Sequence, residues 1–356
     1  MGWVSVKIAL MTIQSVNCGN RLQNYALQTV LERMGHQVDS LRREAGYNGS
    51  LRCGFRAIRH VFGAVKHHGD QIGAFSRFDQ RHISFSSATV SKAYVTPGFD
   101  SAYDAYVIGS DQVWNPDLGC NSELEYLPMV ATSKKVAYAA SYGVNEISFN
   151  RLRTAEFLNG VASISMREHA GARIVGDLTG RKAPVVLDPT MLLSTADWAK
   201  VALKPKTVDC DKPYIFKYVL GTDANEKAIA ELAEAQGLEI IDFADESLGF
   251  GPSEFVWFAS HSALVCTDSF HASVFALLHH KPLAIFERVS AEADMSSRFD
   301  TLCSLFNLTG HRSSESSFGA DSIYGTDWDA FEARLAELRA FSLGWLGDAL
   351  KEVAHG

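Results

Sequence analysis

The stretch VSVKIALMTIQSVNCGNRLQNYALQTVLERMGHQVDSL, residues 4–41, decides the fold class. Residues 4–13 are mostly apolar, residues 15–20 are polar, and residues 21–34 place apolar side chains at helical spacing. After a glycine, residues 36–41 begin a second strand-like segment. A strand, a turn, a helix and another strand in this order are typical of the first unit of a doubly wound parallel sheet.

The same alternation continues along the chain in two halves. Apolar strands are predicted over residues 104–109, 135–141, 161–166, 184–187, 214–220, 238–243, 263–267 and 283–286. A looser passage rich in proline and aspartate separates the halves. We therefore predict an α/β protein with two Rossmann-like domains facing across a cleft. The predicted N-terminal domain is 1–195, the linker is 196–212, and the C-terminal domain with C-terminal helices is 213–356.

Composition excludes several classes of protein. The 356 residues are 47% hydrophobic and 21% charged, which suits two folded domains and excludes a disordered chain. Lys and Arg number 33 against 41 Asp and Glu, and the net charge of −8 disfavours general nucleic-acid binding. The six cysteines form neither a CxxC pair nor a zinc-finger spacing, and no apolar run is long enough to span a bilayer. These features predict a reduced, cytoplasmic protein.

A basic segment, residues 42–82, interrupts the first half. It holds eight Lys or Arg against three Asp or Glu, in an acidic chain. Part of it places apolar residues on one helical face: Leu51, Phe55, Ile58, Phe62 and Val65. Such a helix can lie peripherally on the inner face of an anionic membrane and meet a lipid-linked glycan. The alternative is an ordinary helix packed on its own domain.

Polar side chains follow the first predicted strand, where parallel sheets bind ligands. Asn20, Asn24 and Gln28 recur at i, i+4 and i+8, and form a row of amides on one helical face. With Asn17, such amides can bind sugar hydroxyls or an anion at the helix N-terminus. The alternative is that Asn17 or Asn20 only caps the helix and that the row is solvated.

A second polar turn follows the strand that ends at residue 108. Ser110, Asp111, Gln112 and Trp114 combine a carboxylate, an amide and an indole, a mixture that carbohydrate sites use. Planar polar groups bind hydroxyls there, and the aromatic face covers the sugar ring. The alternative is an Asx-type turn with a packed tryptophan.

Candidate anion ligands follow two further strands or begin a helix. Asp268 or Ser269 is a predicted N-cap, which places His271 in the first turn of a helix whose N-terminus attracts anions. Arg167 follows the strand 161–166, and Arg298 begins another predicted helix; each also fits an ordinary ion pair. We expect no metal site, because no cluster of ligands stands out and no Walker loop, HExxH or GxSxG motif occurs.

Six segments, taken together and in order, resemble the polysaccharide pyruvyl transferase family. They are residues 17–28, 107–115, 138–143, 164–168, 187–190 and 267–276, and the resemblance spans about residues 8–312. It implies the GT-B-like architecture of two Rossmann-like domains around a cleft. It also implies transfer of the enolpyruvyl unit of phosphoenolpyruvate onto two hydroxyls of a sugar, with release of phosphate and no further cofactor.

The resemblance assigns a role to His271, and the reaction that it implies suggests roles for the other candidate residues. His271 matches the family histidine and is the expected acid/base group, while Asp111 is expected to orient or deprotonate an acceptor hydroxyl. The expected donor-binding residues are Asp268, Ser269 and Arg298 in the C-terminal half and Arg167 in the N-terminal half. The expected acceptor-binding residues in the N-terminal domain are Asn17, Asn20, Asn24, Ser110, Gln112 and Trp114. Some members carry an arginine where this chain has Ser269, so Arg298 or Arg167 is expected to supply that charge.

Two other functions fit the same architecture. One is a nucleotide-sugar glycosyltransferase of the GT-B type, which would bind UDP or GDP in place of phosphoenolpyruvate. The other is a non-catalytic relative that binds glycans without releasing phosphate. The acceptor, a glycan or a lipid-linked oligosaccharide, and the oligomeric state are not specified by the sequence.

Overall fold

The computed structural model describes residues 5–43, 69–91, 95–118, 123–288 and 296–355. These residues divide into two α/β units. The first unit contains residues 5–43, 79–91, 95–118, 123–192 and 337–355. The second unit contains residues 69–78, 193–288 and 296–336.

The described part of the first unit contains a six-stranded parallel sheet. Its strands are β1 (Lys7–Met11), β2 (Gln37–Arg43), β3 (Phe85–Val90), β4 (Ala105–Ile108), β5 (Lys135–Ala140) and β6 (Ser163–Met166). They lie in the order β3-β2-β1-β4-β5-β6, and every pair is parallel. This is the strand order of a dinucleotide-binding Rossmann sheet.

Helices connect three pairs of strands that are consecutive in the sequence. They are α1 (Cys18–Arg33) between β1 and β2, α2 (Gly69–His82) between β2 and β3, and α3 (Arg151–Asn159) between β5 and β6, while α4 (His169–Thr179) follows β6. Residues 69–78 of α2 belong to the second unit. Strands β4 and β5 are buried at every residue, which explains their nearly continuous apolar sequences.

The described part of the second unit contains a four-stranded parallel sheet. Its strands are β7 (Tyr214–Tyr218), β8 (Glu239–Asp242), β9 (Leu264–Thr267) and β10 (Leu283–Ile285), in the order β10-β9-β7-β8. Its helices are α5 (Thr195–Ala199), α6 (Glu226–Gln236), α7 (Pro252–His261), α8 (Phe270–Leu278), α9 (Ser297–Phe306) and α10 (Ala320–Tyr324). Helix α11 (Trp328–His355) ends the described chain. All nine residues of α8 are buried, so this helix forms part of the core.

The division into units differs from the predicted domains in three places. Residues 69–78, in the predicted N-terminal domain, belong to the second unit. Part of the predicted linker is helix α5, whose Trp198 is buried and packs edge-on against Phe275 with the ring centroids 4.7 Å apart. Residues 337–355 belong to the first unit, because Ser342 accepts a 3.0 Å hydrogen bond from the amide of Leu187. Arg339 also donates to the carbonyl of Met191.

The structure bears on two other predicted features, the strand over residues 184–187 and the basic insertion. Residues 184–187 form a single bridge, Met166 to Val185, instead of a strand, because Pro184 has no amide hydrogen to donate. Residues 44–68 of the basic insertion, with the predicted amphipathic face, lie outside the described residues. Within the described part of the chain, no helix combines the length and apolar character needed to cross a membrane.

Candidate functional sites in the two units

A polar contact spans the point in the first sheet where the strand order changes direction. Strand β1 pairs with β2 on one side and β4 on the other, and ligands bind at such switch points. Asn20, in the first turn of α1, donates from Nδ2 to Oδ2 of Asp111, just after β4. Asp111 has a backbone φ of 67°. Residues other than glycine rarely adopt such an angle, and those that do are often found at functional sites. The backbone amide of Gln112 donates a 2.9 Å hydrogen bond to Oδ1 of Asp111.

Arg167 lies behind this contact, at the end of β6. Its Nη1 donates to Oδ2 of Asp188 at 3.0 Å, and its Nη2 donates to Oδ1 of Asp111 at 3.4 Å. The side chain is only 1% exposed. Burial alone would lower the pKa of Arg167, but three surrounding carboxylates raise it above its usual value. The guanidinium of Arg167, expected to bind the donor, is thus buried and bound to carboxylates.

Ser110 also belongs to this buried group and does not face a ligand. It is fully buried and donates from Oγ to Oδ2 of Asp188 at 3.1 Å. Asp188 accepts two further hydrogen bonds on Oδ1, from the amide and the hydroxyl of Thr190. The predicted acceptor role of Ser110 is replaced by a role in holding Asp188.

The row of amides on α1 is buried. Asn24 is 1% exposed and accepts a 2.8 Å hydrogen bond from the hydroxyl of Ser40 in β2. Gln28 accepts from the amide of Ser84 at 2.9 Å. The row therefore joins α1 to its neighbours, and Asn24, predicted to bind an acceptor, contacts Ser40. Asn17 is the N-cap of α1, as one alternative foresaw, and remains half-buried after β1.

Trp114 is packed inside the first unit. Its side chain is 3% exposed and stacks on Tyr126, with the ring centroids 4.9 Å apart and the planes 6° from parallel. The alternative of a packed tryptophan is correct, and the predicted sugar-stacking face is covered. Gln112 is less buried, and its Oε1 accepts from Asn115.

The second sheet also has a polar contact at its switch point, between β7 and β9. Asp268, just after β9, accepts 2.8 Å hydrogen bonds from the amides of Leu220 and Gly221, just after β7. Arg288, just after β10, donates to both carboxylate oxygens of Asp268, at 3.1 Å from Nε and 3.2 Å from Nη2. The buried carboxylate of Asp268, predicted to bind the donor, therefore joins the ends of three strands.

Helix α8 begins beside this contact. Ser269 is its N-cap and His271 lies in its first turn, as the sequence predicts. His271 is 5% exposed. The first amides of the helix have no partners within it and attract anions.

Arg298 lies in the first turn of α9. Phe270 of α8 and Phe299 of α9 have ring centroids 6.4 Å apart, so the beginnings of the two helices lie next to each other. The second unit thus brings Ser269, His271 and Arg298 into one region, together with Arg288.

The sequence of the chain identifies its family. The sequence model of polysaccharide pyruvyl transferases matches residues 17–288, which include both polar contacts and the beginning of α8. The chain belongs to the polysaccharide pyruvyl transferase family. It is therefore a transferase, and no curated protein sequence matches it significantly.

Two solved structures are similar to this family member. A Listeria monocytogenes protein described as a UDP-N-acetylglucosamine 2-epimerase is 9% identical over 96% of this chain and 91% of its own, with a TM-score of 0.50. The Neisseria meningitidis UDP-GlcNAc 2-epimerase bound to UDP-GlcNAc is 10% identical over 98% of each chain, with a TM-score of 0.47. The first similarity, together with the two parallel sheets, confirms the predicted GT-B-like class with two Rossmann-like domains.

Arg288 is the residue of this pyruvyl transferase family member that sequence reasoning missed. It stands three residues after the last residue of β10, in the sequence Phe286-Glu287-Arg288. The rule that directed attention to the ends of the other strands applies equally to β10. The sequence pattern indicates its partner, Asp268, only as a direct ligand of the donor.

Proposed function

We propose that this chain is a ketal-pyruvyl transferase that moves the enolpyruvyl unit of phosphoenolpyruvate onto two hydroxyls of a glycan, with release of phosphate. The observation that carries the proposal is the position of His271. It lies in the first turn of α8, at the carboxyl end of the second sheet, where a helix N-terminus attracts an anionic donor. The family membership supplies the reaction class.

The donor half of the reaction needs positive potential and a proton donor. Phosphoenolpyruvate carries a phosphate and a carboxylate, and the beginnings of α8 and α9 with Arg298 offer complementary charge. His271 donates a proton to the methylene carbon, and the resulting positive charge at C2 makes that carbon electrophilic. A positioned acid of this kind contributes about 10²–10⁴-fold to a rate.

The acceptor half of the reaction follows from the same chemistry. One sugar hydroxyl attacks C2, the C2–O bond to phosphate breaks, and the second hydroxyl closes the ketal. The two hydroxyl protons balance the proton taken up by the methylene carbon and the one that leaves with phosphate. We place the acceptor at the first unit, near Asn17, Asp111 and Gln112, which follow β1 and β4.

The acceptor's origin belongs to this proposal as well. A glycan precursor on a lipid carrier would bring the enzyme to the cytoplasmic face of a membrane. Vesicle flotation of the full chain, with neutral and anionic lipids compared, tests that contact.

A phosphate-release assay tests the function. The purified chain is incubated with phosphoenolpyruvate and candidate glycans, and the product is analysed by NMR for a new ketal methyl group. Release of phosphate that requires both substrates, with a ketal in the product, is the expected result. Protection from thermal unfolding by UDP or GDP, with sugar transfer and no response to phosphoenolpyruvate, would instead identify a nucleotide-sugar glycosyltransferase. Glycan binding without phosphate release would identify a non-catalytic relative.

A further inference from the structure

Arg288 and Asp268 form a two-point ion pair at the carboxyl end of the second sheet. Nε of Arg288 lies 3.1 Å from Oδ2 of Asp268, and Nη2 lies 3.2 Å from Oδ1. Nη2 also donates to the backbone carbonyl of Asp268 at 3.1 Å. Three hydrogen bonds to one residue fix the plane of the guanidinium, which a single contact would leave free to rotate.

The carboxylate in this pair is already fully used. Besides Arg288, its two oxygens accept hydrogen bonds from the amides of Leu220 and Gly221. Asp268 is almost completely buried, so it has neither exposure nor spare acceptors for a ligand. Its negative charge would also repel an acidic donor. It is suited to hold a cation, and not to meet the substrate.

Arg288 is the more open partner of the pair. Its side chain is 22% exposed, and within the described chain its Nη1 donates no hydrogen bond. One edge of the guanidinium is thus committed to Asp268 while the other remains available. The bond from Nη2 to the Asp268 carbonyl places this group one residue before Ser269, the N-cap of α8.

We infer that Arg288 binds the phosphate group of the donor, and that Asp268 is a positioning residue that holds Arg288 for this purpose. A fixed guanidinium beside the first amides of α8 has the charge and the donors that a phosphate requires. The inference rests on the proposed function for the identity of the donor. It makes Arg288 a ligand of the phosphate and gives Asp268 an indirect role.

Binding and kinetics of four variants test the inference. The variants are Arg288→Lys, Arg288→Gln, Asp268→Asn and, as a matched control, Arg312→Lys. Arg312 lies beside the same strand, but its guanidinium is committed to Glu287 and Asp300. Calorimetry measures the Kd of phosphoenolpyruvate and of inorganic phosphate, and steady-state assays measure the KM of donor and acceptor separately.

Both Arg288 variants are expected to raise the Kd of phosphoenolpyruvate and of inorganic phosphate by about tenfold or more, while the acceptor KM stays unchanged. Asp268→Asn is expected to raise the donor KM in the same direction. Its effect should add little to that of Arg288→Lys in the double variant, because the two residues act as one unit. Arg312→Lys should leave both ligands bound as in the wild type.

Three results would overturn the inference. Arg288 variants that bind both ligands like the wild type exclude a role for Arg288. Loss of phosphoenolpyruvate affinity with unchanged phosphate affinity excludes the phosphate as its partner. Fully additive effects of Asp268→Asn and Arg288→Lys exclude positioning. If the wild type itself binds no phosphoenolpyruvate, the proposed function fails together with the inference. If the wild type binds it and the Arg288 variants bind it equally well, only the inference about Arg288 fails. Should Asp268→Asn not fold, the two Arg288 variants still decide.

Discussion

Arg167 and Asp188 form a buried ion pair in the first unit, with Nη1 of the guanidinium 3.0 Å from Oδ2 of the carboxylate. Both side chains are at most 1% exposed. Nη2 also reaches Asp111, so one arginine joins the residue after β4 to the segment that follows β6. This pair holds the polar turn at the switch point in place.

Removal of Arg167 is expected to destabilise the protein strongly. Arg167→Met leaves the carboxylates of Asp188 and Asp111 buried without their cation, which costs about 3–5 kcal/mol in comparable buried pairs. Urea unfolding measures the change in free energy. Lys204→Met, which breaks an ion pair exposed by more than half on each side, is the control and should cost under about 1 kcal/mol. Equal and small effects of the two variants would contradict the structural role.

The contrast between Arg167 and His271 shows what the sequence can predict. A helix beginning is a local event: Ser269 has the chemistry of an N-cap, and the position of His271 follows by counting. The partners of Arg167 lie 21 and 56 positions away along the chain. An arginine after a strand has the same local sequence whether it faces a ligand or a buried carboxylate, so only the fold distinguishes the two.

Burial of the amides on α1 was unpredictable for the same reason. A row of amides at helical spacing fits a solvated face, a binding face or a buried face. The outcome depends on Ser40, which meets Asn24, and on Ser84, which meets Gln28. The two parallel α/β sheets, by contrast, could be predicted from apolar segments that alternate with helices, because that pattern permits few topologies.

Substitution of His271 is expected to reduce turnover without loss of donor binding. Without the imidazole there is no positioned proton donor, so His271→Gln should lower kcat for phosphate release about 10²–10⁴-fold. The KM for phosphoenolpyruvate should change little, because other groups bind the donor. His261→Gln, on the exposed end of α7, is the control. Near-wild-type kcat in a folded His271→Gln protein would exclude His271 as the acid.

Gly143→Ala is expected to weaken acceptor binding selectively. Gly143 has a φ of +65°, and an added Cβ would lie 2.4 Å from Oε1 of Gln112. The Gln112 side chain must therefore move, which should raise the acceptor KM and leave the KM for phosphoenolpyruvate unchanged. Gly237→Ala is a matched control, because its φ is +63° but nothing lies within 4 Å of the added atom. The control should show the backbone strain alone, about 1 kcal/mol of stability. Equal acceptor KM values in the two variants would remove Gln112 from the acceptor site.

His279 is expected to make the stability depend on pH below neutrality. Burial first, and then the positive charges of Lys281, His261 and His280, lower its pKa from 6.5 to about 4. The folded state therefore keeps His279 neutral while the unfolded chain takes up a proton below about pH 6.5. The free energy of unfolding should fall as the pH is lowered from 6.5 towards 4, by at most about 1.4 kcal/mol per pH unit.

Urea unfolding of the wild type and His279→Gln at several pH values measures this contribution. Any constant difference above pH 7 reports the loss of packing against Phe275, whose ring centroid lies 6.3 Å from that of His279. Other histidines with lowered pKa values, His36, His82 and His311, contribute equally to both proteins. The variant should therefore lose less stability than the wild type between pH 6.5 and 4. Parallel curves over that interval would show that His279 takes up its proton at the same pH in the folded and unfolded states, against the effect expected from its burial.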